Sequence, residues 1–354
     1  MRVIRGLHNL TPADRGCVAT IGNFDGVHRG HQAILQQCRE HASRLKVPLV
    51  VVVFEPQPRE FFAGEQAPPR LTRLREKVRL LMAHGAERVL CLPFNEALRS
   101  LTGREFVEQV LIDGLDVKHL VVGDDFRFGC DRRGDFTLLE AVGRERGFGV
   151  EHTRTFTVDG ERVSSTRVRT MLASGNFRAA AELLGRAYSL SGRVVRDQQL
   201  GRTIGVPTAN LPLLPQPLTL RGVFAVVAEL DDGSRHPGVA NVGFRPTVGA
   251  DRPTLEVHLF DFDGDLYAKR CTVYPCARLR GEMKFDDFDA LKAQIKRDQA
   301  RARRYLEGFN AADNALPLAS APLGRKAAIS STTAFDANSF DSTSSGKPAD
   351  ANDG

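Results

Sequence analysis

The chain has 354 residues, 42% apolar and 26% charged, which is long for one domain, comfortable for two and ordinary for a folded globular protein. Its net charge is +6; three basic and five acidic residues follow Asn310, so residues 1–310 carry +8, a balance that suits anionic ligands such as nucleotides. The longest apolar run, residues 48–54, is too short to span a bilayer, and the opening MRVIRGLHNLTPADRG lacks the apolar core of a secretory leader.

From residue 18 to 158, short apolar runs alternate with helical patterns. Strands are expected at CVATIG, PLVVVVFEP, ERVLCLPF, HLVVG and GVEHTRTFTV. Several are apolar on both faces, as a buried parallel strand must be. Amphipathic helices are expected at HQAILQQCREHASRLK, LTRLREKVRLLMAHG and GREFVEQVLIDGL. The alternation predicts a doubly wound α/β sheet, which binds ligands at the carboxyl ends of its strands. Two more helices follow, TRVRTMLASG and NFRAAAELLG, and a boundary falls near Gly185–Tyr188. The pattern then changes to alternating runs: YSLSGRVV, GVFAVVAEL, HPGVANVGF, TLEVHLFDF and LYAKRCTVYP. With turns such as DDGS between them, these read as a small antiparallel barrel or sandwich. One amphipathic helix, FDDFDALKAQIKRDQARARRYLEGF, closes it; its basic stretch KRDQARARR reads as a solvated face and not as a nucleic-acid site. Residues 311–354 are rich in Ala, Ser, Thr, Asp and Gly and read as a disordered tail. Six scattered cysteines without zinc-like spacing read as reduced thiols of a cytoplasmic protein.

GNFDGVHRGH (22–31) joins the first of these strands to its helix. Backbone N–H groups and a helix N-terminus there make an anion site. His28 and His31 fall on one side of the first helical turn, where two imidazoles can hold a phosphate and stabilise charge on a phosphorus atom. The same residues also fit a His-rich helix cap, or two ligands of a zinc site lacking an evident third. Two further stretches add to them. VVGDDFRFG (121–129) delivers Asp124 and Asp125 at a strand's carboxyl end, with Phe126 and Phe128 as ligand or core residues. VSSTRVR (163–169) opens a helix with Ser164, Ser165 and Thr166, which could simply cap it. Arg167 and Arg169 sit where the helix dipole disfavours cations, and a bound polyphosphate would explain them.

On HRGH and VSSTRVR, the region resembles the nucleotidyltransferase superfamily. GNFDGVHRGH, FEPQPREFF and GDDFRFG are in the style of the FMN adenylyltransferase module of the bacterial bifunctional riboflavin kinase/FAD synthetase family. The resemblance implies that His28 and His31 act on ATP phosphates, that Arg169 binds the leaving pyrophosphate and that Asp125 lies at the flavin/ATP site. Gly22, Asn23, Phe24, Asp25, Gly30, Ser164, Ser165 and Thr166 would complete the binding surface. Gln57 is assigned no role.

In the second half, GRTIGVPTANL (201–211) has Gly201 and Gly205, which let a loop wrap phosphates. Thr208 and Asn210 offer neutral oxygens suited to Mg²⁺, and Arg202 a phosphate counter-charge. A plain Gly/Pro turn between strands is the alternative. LEVHLFDFDGDLY (255–267) puts Glu256 and His258 on one face of a strand and Leu255, Val257 and Leu259 on the other. A carboxylate there can accept a proton from an alcohol attacking ATP; His258 reads as structural. These strings, with GVANVGFRPTV and LRGEMKFDDFDALKAQIKRD, resemble the riboflavin kinase module of the same family. The resemblance implies that Thr208 and Asn210 hold Mg²⁺–ATP and that Glu256 activates the ribityl 5′-hydroxyl.

The expected chain is therefore α/β plus β. Residues 1–186 form a doubly wound, Rossmann-like nucleotidyltransferase domain, and 187–310 a small antiparallel β-barrel closed by a helix. The barrel would make FMN from riboflavin and ATP, and the first domain FAD and pyrophosphate from FMN and a second ATP. Mg²⁺ serves both steps, and neither nucleic acid nor membrane is a partner. Two rivals are another adenylyl- or cytidylyltransferase with a regulatory barrel, and a flavin-storage or RNA-binding protein without turnover.

Overall fold

A run such as LVVVVFE, apolar at nearly every position, cannot leave either face in water. In the computed structural model, which describes residues 2–123, 125–130, 132–196, 206–213, 217–244, 253–310 and 315–320, that run lies inside a six-stranded parallel sheet. Its strands are β1 (Arg2–Arg5), β2 (Cys17–Ile21), β3 (Leu49–Glu55), β4 (Arg88–Pro93), β5 (Val117–Val122) and β6 (Gly149–His152). Their spatial order is β1-β4-β3-β2-β5-β6. The chain winds from β2 outward through β3 and β4, then returns to β5 on the other side of β2. This reversal makes β2 and β5 a topological switch point, where a crevice opens beyond their carboxyl ends.

The helices in this half are α1 (Arg29–Leu45), α2 (Pro58–Ala63), α3 (Leu74–Ala83), α4 (Glu96–Arg99), α5 (Gly103–Phe106, continued by a π-helical stretch over Val107–Ile112), α6 (Phe136–Arg146), α7 (Ser165–Ala173) and α8 (Phe177–Leu184). Strand alternation divides the sheet's side chains between two cores. Val18, Val51 and Val53 pack on Leu35 and Cys38 of α1 and Leu81 of α3. Ala19, Ile21, Val50 and Val52 pack on Phe106, Val110 and Leu111, and on Leu139 of α6. The doubly wound expectation describes this half well. The expected strand GVEHTRTFTV is, however, two elements. The ladder ends where the Thr153 N–H donates to Val122 O at 2.9 Å, and the Arg154 N–H turns to the Gln37 side chain at 3.0 Å. A small hairpin, β7 (Thr157–Val158) with β8 (Glu161–Arg162), follows.

The second half is a six-stranded antiparallel sheet in the order β10-β13-β12-β11-β14-β9. It comprises β9 (Leu190–Arg193), β10 (Ala209–Pro212), β11 (Gly222–Leu230), β12 (Arg235–Phe244), β13 (Pro253–Leu259) and β14 (Arg270–Arg280). The Val195 N–H donates to Asn210 O at 2.9 Å, so the chain after one edge strand meets the other edge and the sheet curls into a near-closed barrel. Phe224, Val226, Leu255, Val257, Leu259 and Val273 belong to a buried cluster that also contains Val168, Leu172, Phe177, Leu183 and Leu184 of α7 and α8. Helix α9 (Phe288–Tyr305) covers a second cluster, setting Ala302 beside Val223, Ala225 and Val227.

Part of the stretch expected to be a tail is among the described residues. Residues 315–320 are ordered against the barrel. The Ala319 N–H donates to Cys276 O at 2.8 Å, the Arg178 N–H to Ala319 O at 3.2 Å, and Tyr305 Oη to Pro317 O at 2.8 Å. Leu316 and Leu318 rest on the cluster that α9 covers. Two leucines astride a proline carry enough apolar surface to dock, although the composition around them does not. Residues 311–314 and 321–354 lie outside the described residues. A chain ended at Asn310 is expected to lose about 2 kcal/mol relative to one ended at Ser320, the order of burying one or two leucine side chains in part. Denaturant midpoints check this, and equal midpoints would show that the segment contributes nothing.

Candidate active sites

The loop between β2 and α1 is held in an unusual shape. Phe24 and Val27 take left-handed backbone angles, φ 46° and 42°, and so does Gly26 at φ 86°. For a β-branched residue such as Val27 that conformation is strained, and strain of this kind collects at functional sites. Gly30 sits in tight quarters: a Cβ there would lie 3.2 Å from the His28 ring and 3.3 Å from Val163 O, so a larger residue would press on both.

His28 is the N-cap of α1, and its Nδ1 accepts from the His31 N–H at 3.3 Å. The two rings stack at 3.6 Å between centroids and 16° between planes. With Nδ1 accepting, a neutral His28 carries its proton on Nε2 and is a donor there. Burial pushes the His28 pKa down to about 4, helped by the charges of Arg162, Arg169 and Arg186. Burial, His28 and Lys77 hold His31 well below the usual range as well. Both rings are therefore neutral donors at pH 7. Their stacking also bears on the zinc alternative, since an ion in line with one ring's lone pair lies well out of the other ring's plane.

A stability consequence follows. The unfolded chain protonates His28 near pH 6.5, whereas the folded chain does so only near 4. As pH falls through that window the unfolded state binds the extra proton, so folding stability drops, by on the order of 3 kcal/mol for this group. Denaturant titrations between pH 7 and 4 should show a shallower acid limb for His28→Gln; an unchanged limb would contradict the assignment.

Asp25 is 3% exposed. Its carboxylate accepts from the Leu71 N–H (3.0 Å), the Thr72 N–H (3.1 Å) and Arg169 Nη2 (2.5 Å). Ser165 Oγ donates to Asp25 O at 2.8 Å, and Arg169 Nε to Pro69 O at 2.7 Å. Asp25 is thus a buried tie between the phosphate-type loop, the start of α3 and the first turns of α7. Ser164 caps α7, accepting from the Arg167 N–H at 3.2 Å. Arg167 donates to Val158 O at 2.9 Å and pairs with Glu161 at 3.1 Å. The two arginines that looked misplaced in a helix's first turns therefore have acceptors within the protein. Gly22 and Asn23 sit half-buried on the loop, Phe24 is buried against the His31 ring at 5.0 Å, and Thr166 is exposed. Asp125 is exposed on the loop after β5, 3.7 Å from Arg162 Nη2. Phe128 joins the core and Phe126 packs on its edge. Asp124 lies outside the described residues.

Sequence reasoning passed over Arg162, Arg186 and Lys77. The first two act on His28 by charge, and Arg186 Nη1 is enclosed without a hydrogen-bond partner among the described residues. Lys77 carried a readable signal, because it occupies the apolar stripe of α3, three residues after Leu74 and four before Leu81.

His41, His119 and Glu151 form a second polar cluster. Their candidate ligand atoms lie within 4.8 Å of one another. The two rings stack at 3.8 Å and 16°, Arg44 donates to His41 Nδ1 at 2.8 Å, and Gln37 donates to Glu151 Oε1 at 2.7 Å. Near-parallel rings, with His41 already held by Arg44 and Glu151 by Gln37, describe a polar network better than a metal seat.

On the barrel, Asn210 and Glu256 are direct partners across β10 and β13, and Asn241 of β12 flanks Glu256 on the other side. Leu255, Val257 and Leu259 fill the interior, leaving Glu256 and His258 on the opposite face. Asn210 is 4% exposed, whereas Thr208 is half-buried at the head of β10. His258 Nδ1 lies 2.9 Å from Pro207 O and anchors the segment that carries Thr208. Hydroxyl, amide and carboxylate oxygens side by side are a hard donor set of the kind Mg²⁺ takes. Gly201, Arg202 and Gly205 lie outside the described residues.

Comparison with known proteins accords with both halves. A family model described as FAD synthetase matches residues 10–167, and one described as riboflavin kinase matches residues 184–306. The bifunctional riboflavin kinase/FMN adenylyltransferase of Pseudomonas fluorescens is 55% identical over 304 residues, covering 86% of this chain and 97% of that protein. The protein of the same name from Escherichia coli K12 is 50% identical over 307 residues, covering 86% and 98%. A crystal structure from Streptococcus pneumoniae, named a macrolide-efflux protein, aligns with TM-score 0.69 at 30% identity over 86% of this chain and 99% of that one. Among the described residues here, no helix is long and apolar enough to cross a membrane. On its matched family models and relatives, the chain belongs to the bifunctional riboflavin kinase/FMN adenylyltransferase family.

Proposed function

We propose that the β2–α1 loop and the β10–β13 ladder are the two reaction centres of this enzyme. The chain phosphorylates riboflavin to FMN with ATP in its C-terminal part and adenylylates FMN to FAD in its N-terminal part. The observation that carries the assignment is the stacked, neutral His28–His31 pair at the N-terminus of α1, at the switch point of a parallel sheet.

In the adenylyl site, an FMN phosphate oxygen attacks the α-phosphorus of ATP, and the bond to the β-phosphate oxygen breaks to release pyrophosphate. The chain supplies no nucleophile. It supplies donors: His28 Nε2, His31, and the N–H groups around Gly22, Asn23, Phe24 and Gly30. Asp25 keeps that loop in register with Arg169 and α7, placing Ser164, Ser165 and Thr166 along one wall, with Asp125 at the rim. In the kinase site, Glu256 accepts the proton of the ribityl 5′-hydroxyl as its oxygen attacks the γ-phosphorus. Thr208 and Asn210 would hold Mg²⁺, which when bound neutralises phosphate charge. Gly201, Arg202 and Gly205 complete the phosphate loop in this reading. Residues 1–186 and 187–310 are the corresponding domains, and the cytoplasm, where the cosubstrates are found and thiols stay reduced, is the compartment.

The test is direct. Purified chain is incubated with riboflavin, ATP and Mg²⁺, and the flavins are separated over time. FMN should rise first and FAD follow. ATP consumption without FMN would sink the kinase assignment, and FMN that never becomes FAD would sink the adenylyl one.

A further inference from the structure

Lys77 lies one turn into α3, and its side chain is entirely enclosed, with 0% of the residue exposed. Among the described residues its Nζ has no hydrogen-bond partner. An ammonium out of water and without an acceptor is costly, and native folds rarely leave one so without a reason. Asp25, Glu55 and Glu60 all act on its charge, but each is engaged elsewhere. Asp25 holds Arg169 and the Leu71 and Thr72 amides. Arg70 holds Glu55 at 2.7 Å and Glu60 at 2.5 Å.

Lys77 is not isolated in this. Its charge acts on His31, whose Nδ1 is likewise enclosed and unpartnered. Gln57 Nε2, just beyond the end of β3, is a third such atom, and its neighbour Glu60 also acts on Lys77. The start of α3 is clamped to the β2–α1 loop through Asp25, so Lys77 is carried on the same rigid support as His28 and His31. Unpaired polar atoms near the carboxyl ends of β2 and β3, with Lys77 Nζ and Gln57 Nε2 as donors among them, ask for acceptor oxygens, and the ammonium asks that they be anionic. A flexible four-carbon stem gives Nζ the reach to turn toward such a group.

We infer that Lys77 is a further ligand of the adenylyl-transfer site, donating from Nζ to phosphate oxygens of the reacting nucleotides. This rests on the reading of the His28–His31 site given above. The oxygens belong either to the pyrophosphate end of ATP or to the FMN phosphate, and the two sources separate by experiment.

Full-length Lys77→Met, Lys77→Arg and His31→Ala chains are assayed in both directions, FMN with ATP and FAD with pyrophosphate. Riboflavin phosphorylation in the same samples is the control for folding. Lys77→Met should raise the KM for pyrophosphate at least tenfold while riboflavin phosphorylation stays within twofold, and Lys77→Arg should recover part of the loss. A tenfold rise confined to the KM for FMN would assign the contact to the FMN phosphate. If neither KM moves, the inference is overturned, whereas a loss in His31→Ala alone would leave the site reading standing. If FAD still forms at the normal rate in His31→Ala, the site reading itself fails. Should Lys77→Met lose riboflavin phosphorylation as well, a crystal of the unaltered chain soaked in pyrophosphate decides. Nζ within about 3 Å of a phosphate oxygen supports the contact, and a separation beyond about 4 Å at full occupancy overturns it.

Discussion

Replacing His28 or His31 by alanine is expected to stop FAD formation while FMN continues to accumulate. In the mechanism proposed above the adenylyl step uses no covalent catalyst, so its acceleration would come from donors placed where charge builds on the α-phosphate. Removing one such donor typically costs 10²- to 10³-fold in rate, about 3–4 kcal/mol. His28→Ala also deletes the cap on α1, worth about 1 kcal/mol of stability. His28→Asn separates the two losses, because an amide can still cap while placing no donor at the Nε2 position. Riboflavin phosphorylation depends on a different sheet and should be unaffected in each variant. The flavins separated from one reaction mixture give both answers. FAD appearing at the normal rate in either alanine variant would remove the histidines from the mechanism.

The second large effect is the mirror of the first. Glu256→Ala should abolish FMN formation from riboflavin, by 10²- to 10⁴-fold for loss of a general base, yet FMN added directly should still become FAD. Glu256→Gln keeps the side-chain shape between Asn210 and Asn241 in the ladder and removes the basicity alone, so it should be nearly as inactive. If one substitution abolished both reactions in a folded chain, two separate centres would be the wrong description.

How far such centres can be read without coordinates depends on how local the physics is. The parallel sheet was legible because Val50 to Phe54 are apolar on both faces. A doubly wound sheet opens at strand ends and only a few loops carry chemistry there, which is why the first site is proposed at the β2–α1 loop. Asp25 illustrates what was not legible. A carboxylate facing a nucleotide and one accepting the Leu71 and Thr72 amides look alike when the partner is 46 residues away. The partners of Arg167 and Arg169 were hidden for the same reason: their acceptors, Glu161 apart, are backbone carbonyls and a distant aspartate, and carbonyls leave no mark in composition. β10 hid behind its turn-like neighbours Pro207 and Thr208, because pairing with β13 outweighs local preference. Lys77 was visible as a break in an apolar stripe, but its lack of a partner was not.

The cluster shared by α7, α8 and the barrel has a further consequence for how variants of this enzyme should be interpreted. Phe177 meets Phe224 edge-on at 6.0 Å, and Leu183 and Leu184 are buried with the barrel's interior residues. The helix that carries Ser165 to Arg169, proposed above as a wall of the adenylyl site, therefore rests on the barrel that the riboflavin kinase model matches. A chain cut near residue 186 would bare that apolar surface, so the first domain's failure alone would say little about its chemistry. A cavity-forming change at Phe224, far from the histidines in sequence, could register first as missing FAD if the loosened helices wall the site proposed above.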